Sequence, residues 1–343
     1  MKGKLGWGIL GTGNIARQFA RAIPDAERGR LAAVGSRVQS SADDFAAASN
    51  VPRAYGSYEG VLADPAVDAV YVSLPNSMHH EWTIKALRAG KHVLCEKPIA
   101  ATRAQAQEMF DAARHRRLAL VEAFMYRSHP LTAAWLARIR AGEIGQVRAI
   151  RSSFCFCTSQ PAGNIRFSSK LAGGSLMDVG CYCINLSRLA AGAEPEAMTA
   201  VARLHESGID EVAAGTMRFP NGIVAAFTCG MTVHADNTAS ICGSLGYIEV
   251  PIPWKPPMKD AQFVISNSAP PAMDTPPNKA VLPGSHPRHV ITVNAPKPLY
   301  ALEVDDMAAV IFDGAPPAVP EADSLGNMTV LDQLRREIGV LNE

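Results

Sequence analysis

The sequence predicts an α/β protein: a doubly wound parallel sheet of the dinucleotide-binding kind, then a second α/β unit built on a large, mostly antiparallel open sheet. Three observations predict it. The apolar run Leu5–Leu10 ends in Gly11-Thr12-Gly13-Asn14-Ile15-Ala16 and passes into a helical pattern through Ala22. Apolar runs of strand length then alternate with helical stretches to about residue 125. From Gly145 the helical stretches give way to strand-like segments separated by turn signals. At 343 residues the chain is too long for one ordinary core, and two domains are expected, a dinucleotide-binding domain at 1–125 and a substrate-binding and oligomerisation domain at 126–343.

In the first turn, Gly11 permits the tight bend, Gly13 lets a pyrophosphate approach the backbone, and Ala16 holds the third small position, where helix and strand pack closely. Phosphates on that helix N-terminus would meet free N–H groups and the positive end of the helix dipole. Glycine turns are common by themselves. Here a strand precedes the turn, a helix follows it, and an alternating series stands behind it. Strands are expected at Leu31–Gly35, Ala69–Leu74, His92–Cys95 and Leu118–Glu122, with helices over Ser41–Ala48, Ser77–Ala89 and Arg103–Arg116, the pattern of a parallel sheet.

The end of the second strand bears on the cofactor. NAD sites usually carry an acid there, about 20 residues past the glycines, for the ribose 2′-hydroxyl. Val34-Gly35-Ser36-Arg37-Val38-Gln39 has none. The Ser36 hydroxyl and Arg37 guanidinium suit a 2′-phosphate that a carboxylate would repel, so NADP is expected over NAD; the alternative is that Arg37 is simply a surface residue.

Ligands of open α/β sheets sit beyond the strands' carboxyl ends. Two loops meet that condition, Leu74-Pro75-Asn76-Ser77-Met78-His79 and Glu96-Lys97-Pro98, and both should border the nicotinamide. Asn76 either contacts a ligand or caps the helix that Ser77 begins. His79, inside that helix's first turn, reads as a structural or cofactor-neighbouring histidine rather than the proton carrier. Lys97 is aimed by the backbone, because Pro98 fixes its own φ and pushes the preceding residue towards extended geometry.

In the second half, Pro130–Ala141 should be a connecting helix. Strands follow at Val147–Cys157, Met198–Leu204, Glu211–Phe219, Ile223–Cys229, Thr238–Cys242 and Tyr247–Val250, with hairpin signals at Pro220-Asn221-Gly222 and Gly243-Ser244-Leu245-Gly246. Thr158–Ala172 reads as a polar loop. Pro251–Pro298, which holds 12 of the 24 prolines, is expected to cross the sheet irregularly. Substrate specificity should reside in these two stretches. Helices over Leu299–Phe312 and Ser324–Leu341 are expected to pack back on the first domain.

A helix over Ser175–Leu189 would set Asp178 and Tyr182, four apart, on one face. Hydride transfer at carbon needs a matching proton transfer at oxygen. Lys97 beside Tyr182 is expected to lower the phenol's pKa from about 10 and so form an acid/base pair, with Asp178 orienting a substrate hydroxyl or holding the lysine. Which of Lys97 and Tyr182 moves the proton stays open.

Composition removes other classes of function. Lys plus Arg number 33 against 32 for Asp plus Glu, a formal charge of +1, which speaks against nucleic acid or an anionic membrane as partner. No stretch approaches the ~18 apolar residues of a spanning helix, and MKGKLGWGIL reaches its glycine turn too early for a signal peptide's apolar core, so a cytoplasmic location is expected. Of the seven cysteines, Cys155-Phe-Cys157 and Cys181-Tyr-Cys183 lack the spacing of zinc knuckles; the first pair would share a strand face, which suits packing rather than a metal or redox site, and no metal is expected.

Gly11-Thr12-Gly13-Asn14-Ile15-Ala16, Pro75-Asn76-Ser77-Met78-His79, the run Ala89-Gly90-Lys91-His92-Val93-Leu94-Cys95-Glu96-Lys97-Pro98, and Gly173-Gly174 through Asp178 to Tyr182 make the sequence resemble the glucose-fructose oxidoreductase / inositol dehydrogenase / rhizopine-catabolism (Gfo/Idh/MocA) family over essentially its whole length. The resemblance implies a Rossmann domain, a C-terminal α/β domain with an open sheet, a Pro98 peptide that is often cis, and Ile165 and Arg166 against the nicotinamide side of the cleft. It also implies a homodimer or homotetramer joined through the exposed sheet face. Tyr182, where many members have histidine, together with Gly35-Ser36-Arg37 and Glu122-Ala123-Phe124-Met125-Tyr126-Arg127, is similar to the branch of dihydrodiol dehydrogenases and NADP-dependent D-xylose dehydrogenases. The function so implied is NADP-dependent hydride transfer to or from a sugar or cyclic diol. The alternatives are an NAD-linked inositol-type dehydrogenase and a non-catalytic NADP-binding sensor, although a sensor has no need of a Lys-Tyr-Asp set.

Overall fold

The structure, a computed structural model, describes residues 3–267 and 287–341. Its first half alternates strand and helix: β1 (Leu5–Leu10), α1 (Asn14–Ala22), β2 (Gly29–Gly35), α2 (Gln39–Ser49), β3 (Ala54–Tyr55), α3 (Tyr58–Ala63), β4 (Ala69–Val72), α4 (Asn76–Arg88), β5 (His92–Glu96), α5 (Arg103–Arg116) and β6 (Leu120–Ala123). The strands form one parallel sheet in the order β3-β2-β1-β4-β5-β6. That order reverses direction between β1 and β4, so the ligand crevice of such a sheet lies beyond Leu10 and Val72.

Helices cover both faces of this sheet, and every residue of β1 and β4 is buried. Its centre is aromatic: Trp7 meets Phe19 edge-on with ring centroids 5.3 Å apart, and Phe19 stacks on Tyr71 at 3.9 Å. Burial of each such ring contributes about 1.5–3 kcal/mol. The two-residue β3 and short α3 were not anticipated from periodicity, being shorter than any window that shows it. The Ser57 hydroxyl, accepting from Gly60 N at 3.1 Å, starts α3.

The second half runs α6 (Pro130–Arg140), β7 (Val147–Cys155), α7 (Cys181–Ala191), β8 (Ala197–Leu204), β9 (Asp210–Arg218), β10 (Val224–Gly230), β11 (Ala239–Gly243), β12 (Gly246–Val250), β13 (Ala261–Asn267), β14 (His289–Val293), α8 (Leu299–Asp313) and α9 (Glu321–Glu337). Its eight strands lie in the order β14-β13-β12-β11-β7-β10-β9-β8, antiparallel throughout except that β10 runs parallel to β7. Along β9, buried Ala213 and Met217 alternate with exposed Ala214 and Arg218, so one face meets helices and the other is open. Helices α8 and α9 return to the parallel half: Asp305 accepts from Arg28 N at 2.8 Å, Asp332 accepts from Arg103 N at 2.8 Å, and Arg335 donates to Ala101 O at 2.7 Å.

Two expectations are corrected here. Pro251–Pro298 is not irregular throughout: it contains β13 and β14, paired from Ala261 with Val293 to Ile265 with His289, and its described prolines flank these strands rather than interrupt them. Residues 268–286 of that stretch lie outside the described residues. The strand expected to reach Cys157 stops at Cys155, because the Asn237 side chain bonds Cys155 N (2.6 Å) and Cys155 O (2.9 Å) and closes the ladder. Cys155 is consequently buried and Cys157 exposed, so the pair shares no strand face. Among the described residues no helix is long and apolar enough to cross a membrane.

Candidate active site

A cleft of about 830 Å³ separates the carboxyl end of the parallel sheet from the second sheet. On the parallel side it begins at the glycine turn. Gly11 has φ +109°, and a Cβ there would stand 3.0 Å from Ser73 O, so the tight bend needs glycine twice over. Gly13 precedes α1, no side chain caps that helix, and a Cβ on Gly13 would meet nothing within 4 Å. The first N–H groups of α1 therefore open onto the cleft, an arrangement that fits a dinucleotide pyrophosphate.

His79 fixes the two neighbouring loops to each other. Fully buried, its Nδ1 lies 2.9 Å from Pro98 O and its Nε2 2.8 Å from Leu74 O. Burial pushes its pKa below the ordinary histidine value. Asn76 neither caps a helix nor points at open space: its side-chain N–H donates to Ala172 O at 2.8 Å, tying the loop to the opposite wall. Glu96 is buried, accepts from the Tyr71 hydroxyl and from Lys97 N, and burial raises its carboxyl pKa. The Lys97–Pro98 peptide is cis.

The opposite wall is organised by a residue that sequence reasoning missed. Buried Asp210, at the start of β9, accepts from Ser175 Oγ (2.7 Å) and Leu176 N (2.6 Å) and so anchors the segment leading into α7. That segment, Leu176–Gly180, is a π-turn rather than the regular helix expected from Ser175 onwards. Gly180 allows it, since a Cβ there would lie 2.9 Å from Cys229 Sγ. The widened turn presents both the carbonyl and the carboxylate of Asp178 to the cleft. Lys97 Nζ donates to Asp178 O at 2.6 Å and to Asp178 Oδ1 at 3.3 Å, while Arg166 Nε donates to Asp178 Oδ2 at 2.6 Å. Arg166 reaches that position because its loop packs on Gly173, where a Cβ would sit 2.2 Å from Arg166 O.

Lys97 and Asp178 each shift the other's titration. Burial alone would depress the Lys97 ammonium, but Asp178, Cys181 and Glu96 outweigh it and hold the pKa above the usual lysine range. Burial alone would raise Asp178, but Lys97 and Arg166 outweigh it and hold the carboxyl below the usual aspartate range.

Tyr182 departs from expectation. Lys97 Nζ stands over its ring, 5.0 Å from the centroid, not beside its hydroxyl, which donates to Met125 Sδ at 3.3 Å. The ring is enclosed by Phe124, Tyr126, Phe154 and Trp254, with centroids 5.1 to 6.1 Å away. Burial, then the Glu96 carboxylate, pushes the phenol well above its ordinary value of 10. The expected lowering by Lys97 is therefore reversed, because the aromatic enclosure strips the hydroxyl of water and the Glu96 carboxylate opposes a phenolate.

The cleft brings together Gly13, Asn14 and Ile15 of the glycine turn with Leu74, Pro75, Asn76 and His79 of the next loop. Glu96 and Lys97 line it too, as do Ile165, Arg166, Asp178 and Tyr182 from the other wall. Gly11 and Thr12 are not part of this lining, and Ser36 and Arg37 lie outside it, just past the carboxyl end of β2. The lining adds residues that sequence reasoning passed over, notably Met125, Phe154 and Trp254. Only Met125 had a signal, within the Glu122–Arg127 run; Trp254 lay in the proline-rich stretch. Among the described residues no group of three His, Cys, Asp or Glu side chains is placed to hold a metal.

A doubly wound sheet, an open helix N-terminus at its switch point, and a charged lysine facing a tyrosine across a cleft define an oxidoreductase of the dinucleotide-binding class. Residues 5–124 match the oxidoreductase family with NAD-binding Rossmann fold, and residues 133–249 match the GFO/IDH/MocA C-terminal domain. The chain is 32% identical to mouse (Mus musculus) trans-1,2-dihydrobenzene-1,2-diol dehydrogenase, over 98% of this chain and 97% of that one. It is also 32% identical to D-xylose 1-dehydrogenase (NADP(+)) 2 of Haloferax volcanii, over 96% and 95%. A 3-ketoreductase of Actinomadura kijaniata, solved with NADP and TDP-benzene, superposes with a TM-score of 0.84 at 29% identity, covering 98% of each chain. The chain belongs to the GFO/IDH/MocA oxidoreductase family.

Proposed function

We propose that this protein is an NADP-dependent oxidoreductase acting on a sugar or cyclic diol, or on the corresponding carbonyl compound. The observation that carries the reading is Lys97, paired with Asp178, lying over the ring of Tyr182 in the cleft next to the open end of α1. The N–H groups of Gly13, Asn14 and Ile15 would hold the pyrophosphate, Ser36 and Arg37 the 2′-phosphate, and the loops at Leu74–Asn76, Glu96–Lys97 and Ile165–Arg166 the nicotinamide. When bound, the cofactor supplies or accepts the hydride.

The chain's own groups handle the proton. Tyr182, held neutral by its enclosure, donates its hydroxyl proton to the carbonyl oxygen as that oxygen gains charge. The Lys97 ammonium compensates the developing charge and is kept in place by Asp178, whose second oxygen is bound by Arg166. In the oxidising direction Tyr182 must first lose its proton, which its surroundings oppose, so this arrangement suits reduction at neutral pH. Both the mouse and the Haloferax relatives, named as dehydrogenases of a diol and a sugar, support the substrate class.

The division into domains near residue 125, the cytoplasmic setting and a homodimer or homotetramer belong to the same reading. Val201, Val224 and Val290 are 74%, 50% and 57% exposed on the second half; those of β8 and β10 belong to the open face of the sheet, a surface suited to self-association. Sedimentation of the purified protein tests the oligomer. Oxidation of NADPH against a panel of sugars, diketones and quinones tests the activity. Saturable NADPH binding without turnover of any of them would favour the sensor, and a higher kcat/KM with NAD than with NADP would favour the inositol-type enzyme.

A further inference from the structure

Lys97 is followed by Pro98, and a second cleft lysine repeats that local design: Lys255 is followed by Pro256. Its neighbourhood, Pro253-Trp254-Lys255-Pro256-Pro257, is stiffened by three prolines. Trp254 pins the segment: its indole N–H donates to Ser153 O at 2.8 Å, and its ring stacks on Phe154 at 5.4 Å with 6° between planes. The Lys255 backbone is therefore fixed beside the aromatic enclosure of Tyr182, and its exposed side chain lines the same cleft.

The two lysines differ in their partners. Lys97 is committed to Asp178. Lys255 has no hydrogen-bond or ion-pair partner among the described residues, although three carboxylates line the cleft with it. Each of those is engaged elsewhere: Asp178 with Lys97 and Arg166, Glu96 with Tyr71 and the Lys97 backbone, and Asp236 with the hydroxyls of Ser153 and Thr238. Partial desolvation by the cleft walls, followed by repulsion from Lys97, holds the Lys255 ammonium below the usual lysine range, a cost that a bound anion would relieve.

We propose that Lys255 is the subsite for an anionic substituent of the substrate, so that the preferred sugar or cyclic polyol carries a carboxylate or a phosphate ester away from the reacting carbon. This rests on the oxidoreductase reading above and gives it a substrate class. A sugar ring lying against Trp254 and Phe154, with one carbon at Tyr182, would direct a substituent on its far side towards Lys255, where a flexible ammonium accepts either anion.

Calorimetric titration of the NADPH-bound protein with D-glucose, D-glucuronate and D-glucose 6-phosphate tests the subsite without requiring turnover. One of the anionic sugars should bind about tenfold or more tightly than glucose; Lys255→Met should remove that preference and Lys255→Arg should retain it. Tighter binding of the glucuronate identifies a carboxylate, and of the phosphate ester a phosphate. Equal affinity for all three sugars, a preference unaffected by Lys255→Met, or a loss of NADPH affinity in that variant would overturn the proposal, the last by placing the lysine on the cofactor. A turnover assay on the same sugars keeps the two readings apart. Lys255-dependent binding without turnover sinks the oxidoreductase reading alone, whereas turnover without an anion preference sinks the subsite alone.

Discussion

The two walls of the cleft are made of different material. The parallel-sheet wall is largely backbone: a glycine turn at Gly11 and Gly13, the uncapped start of α1, and two loops whose carbonyls are held by buried His79. The wall from the second sheet is side chains: Arg166, Asp178, Tyr182, Phe154 and Trp254, gathered from a loop, a π-turn, a helix, a strand and a proline-rich segment. A backbone wall fits any ligand of the right shape and needs little more than small residues in a fixed order. A side-chain wall distinguishes ligands through the chemistry of the particular residues it presents.

Variants on each side sharpen that contrast. Lys97 stands between the walls, and Lys97→Met should lower kcat by about 10³-fold while leaving NADPH affinity within about threefold, as read by steady-state kinetics and fluorescence titration. Gly173 is the point where the side-chain wall depends on backbone space. Gly173→Val places carbon where Arg166 O already lies, and thermal melts should show a destabilisation of about 1–3 kcal/mol together with loss of substrate affinity. Arg37→Ala should cut the preference for NADP over NAD about tenfold, measured as a ratio of kcat/KM values, because a charge-assisted bond to the 2′-phosphate disappears. Trp254→Phe should raise the KM for sugar about threefold and leave the KM for NADPH alone, since the ring's hydrogen bond to Ser153 belongs only to the side-chain wall.

The same contrast governs what could be read from the sequence. The parallel half was legible because its signals are local: the strand, glycine turn and helix at Leu5–Ala22 are contiguous, and α5 spans Arg103–Arg116 as its periodicity indicates. The Lys97, Asp178 and Tyr182 set was also legible, since spacing placed Asp178 and Tyr182 on one segment and chemistry called for a lysine. Its electrostatics were not. The direction of the Tyr182 shift depends on Phe124, Phe154, Trp254 and Glu96 closing around one ring, neighbours that lie up to 86 positions away along the chain and leave no periodic trace. Asp210 was passed over for a similar reason. It lies at the start of a strand and reads as a turn residue, and its role appears only when β9 is placed beside Ser175. β13 and β14 were hidden by the prolines that bracket them.

The central claim is that Tyr182 works as a neutral proton donor beside a charged Lys97. A general acid is active while protonated, so a phenol held well above 10 keeps the reductive reaction supplied with protons across the whole neutral and mildly alkaline range. The direct measurement is the pH dependence of kcat/KM for carbonyl reduction by NADPH, from about pH 6.5 to about pH 9.5. The account predicts a plateau with no alkaline fall inside that window. A fall with an apparent pKa near about 7 to 8 that disappears in Tyr182→Phe would show instead a phenol acidified by Lys97, and would contradict it.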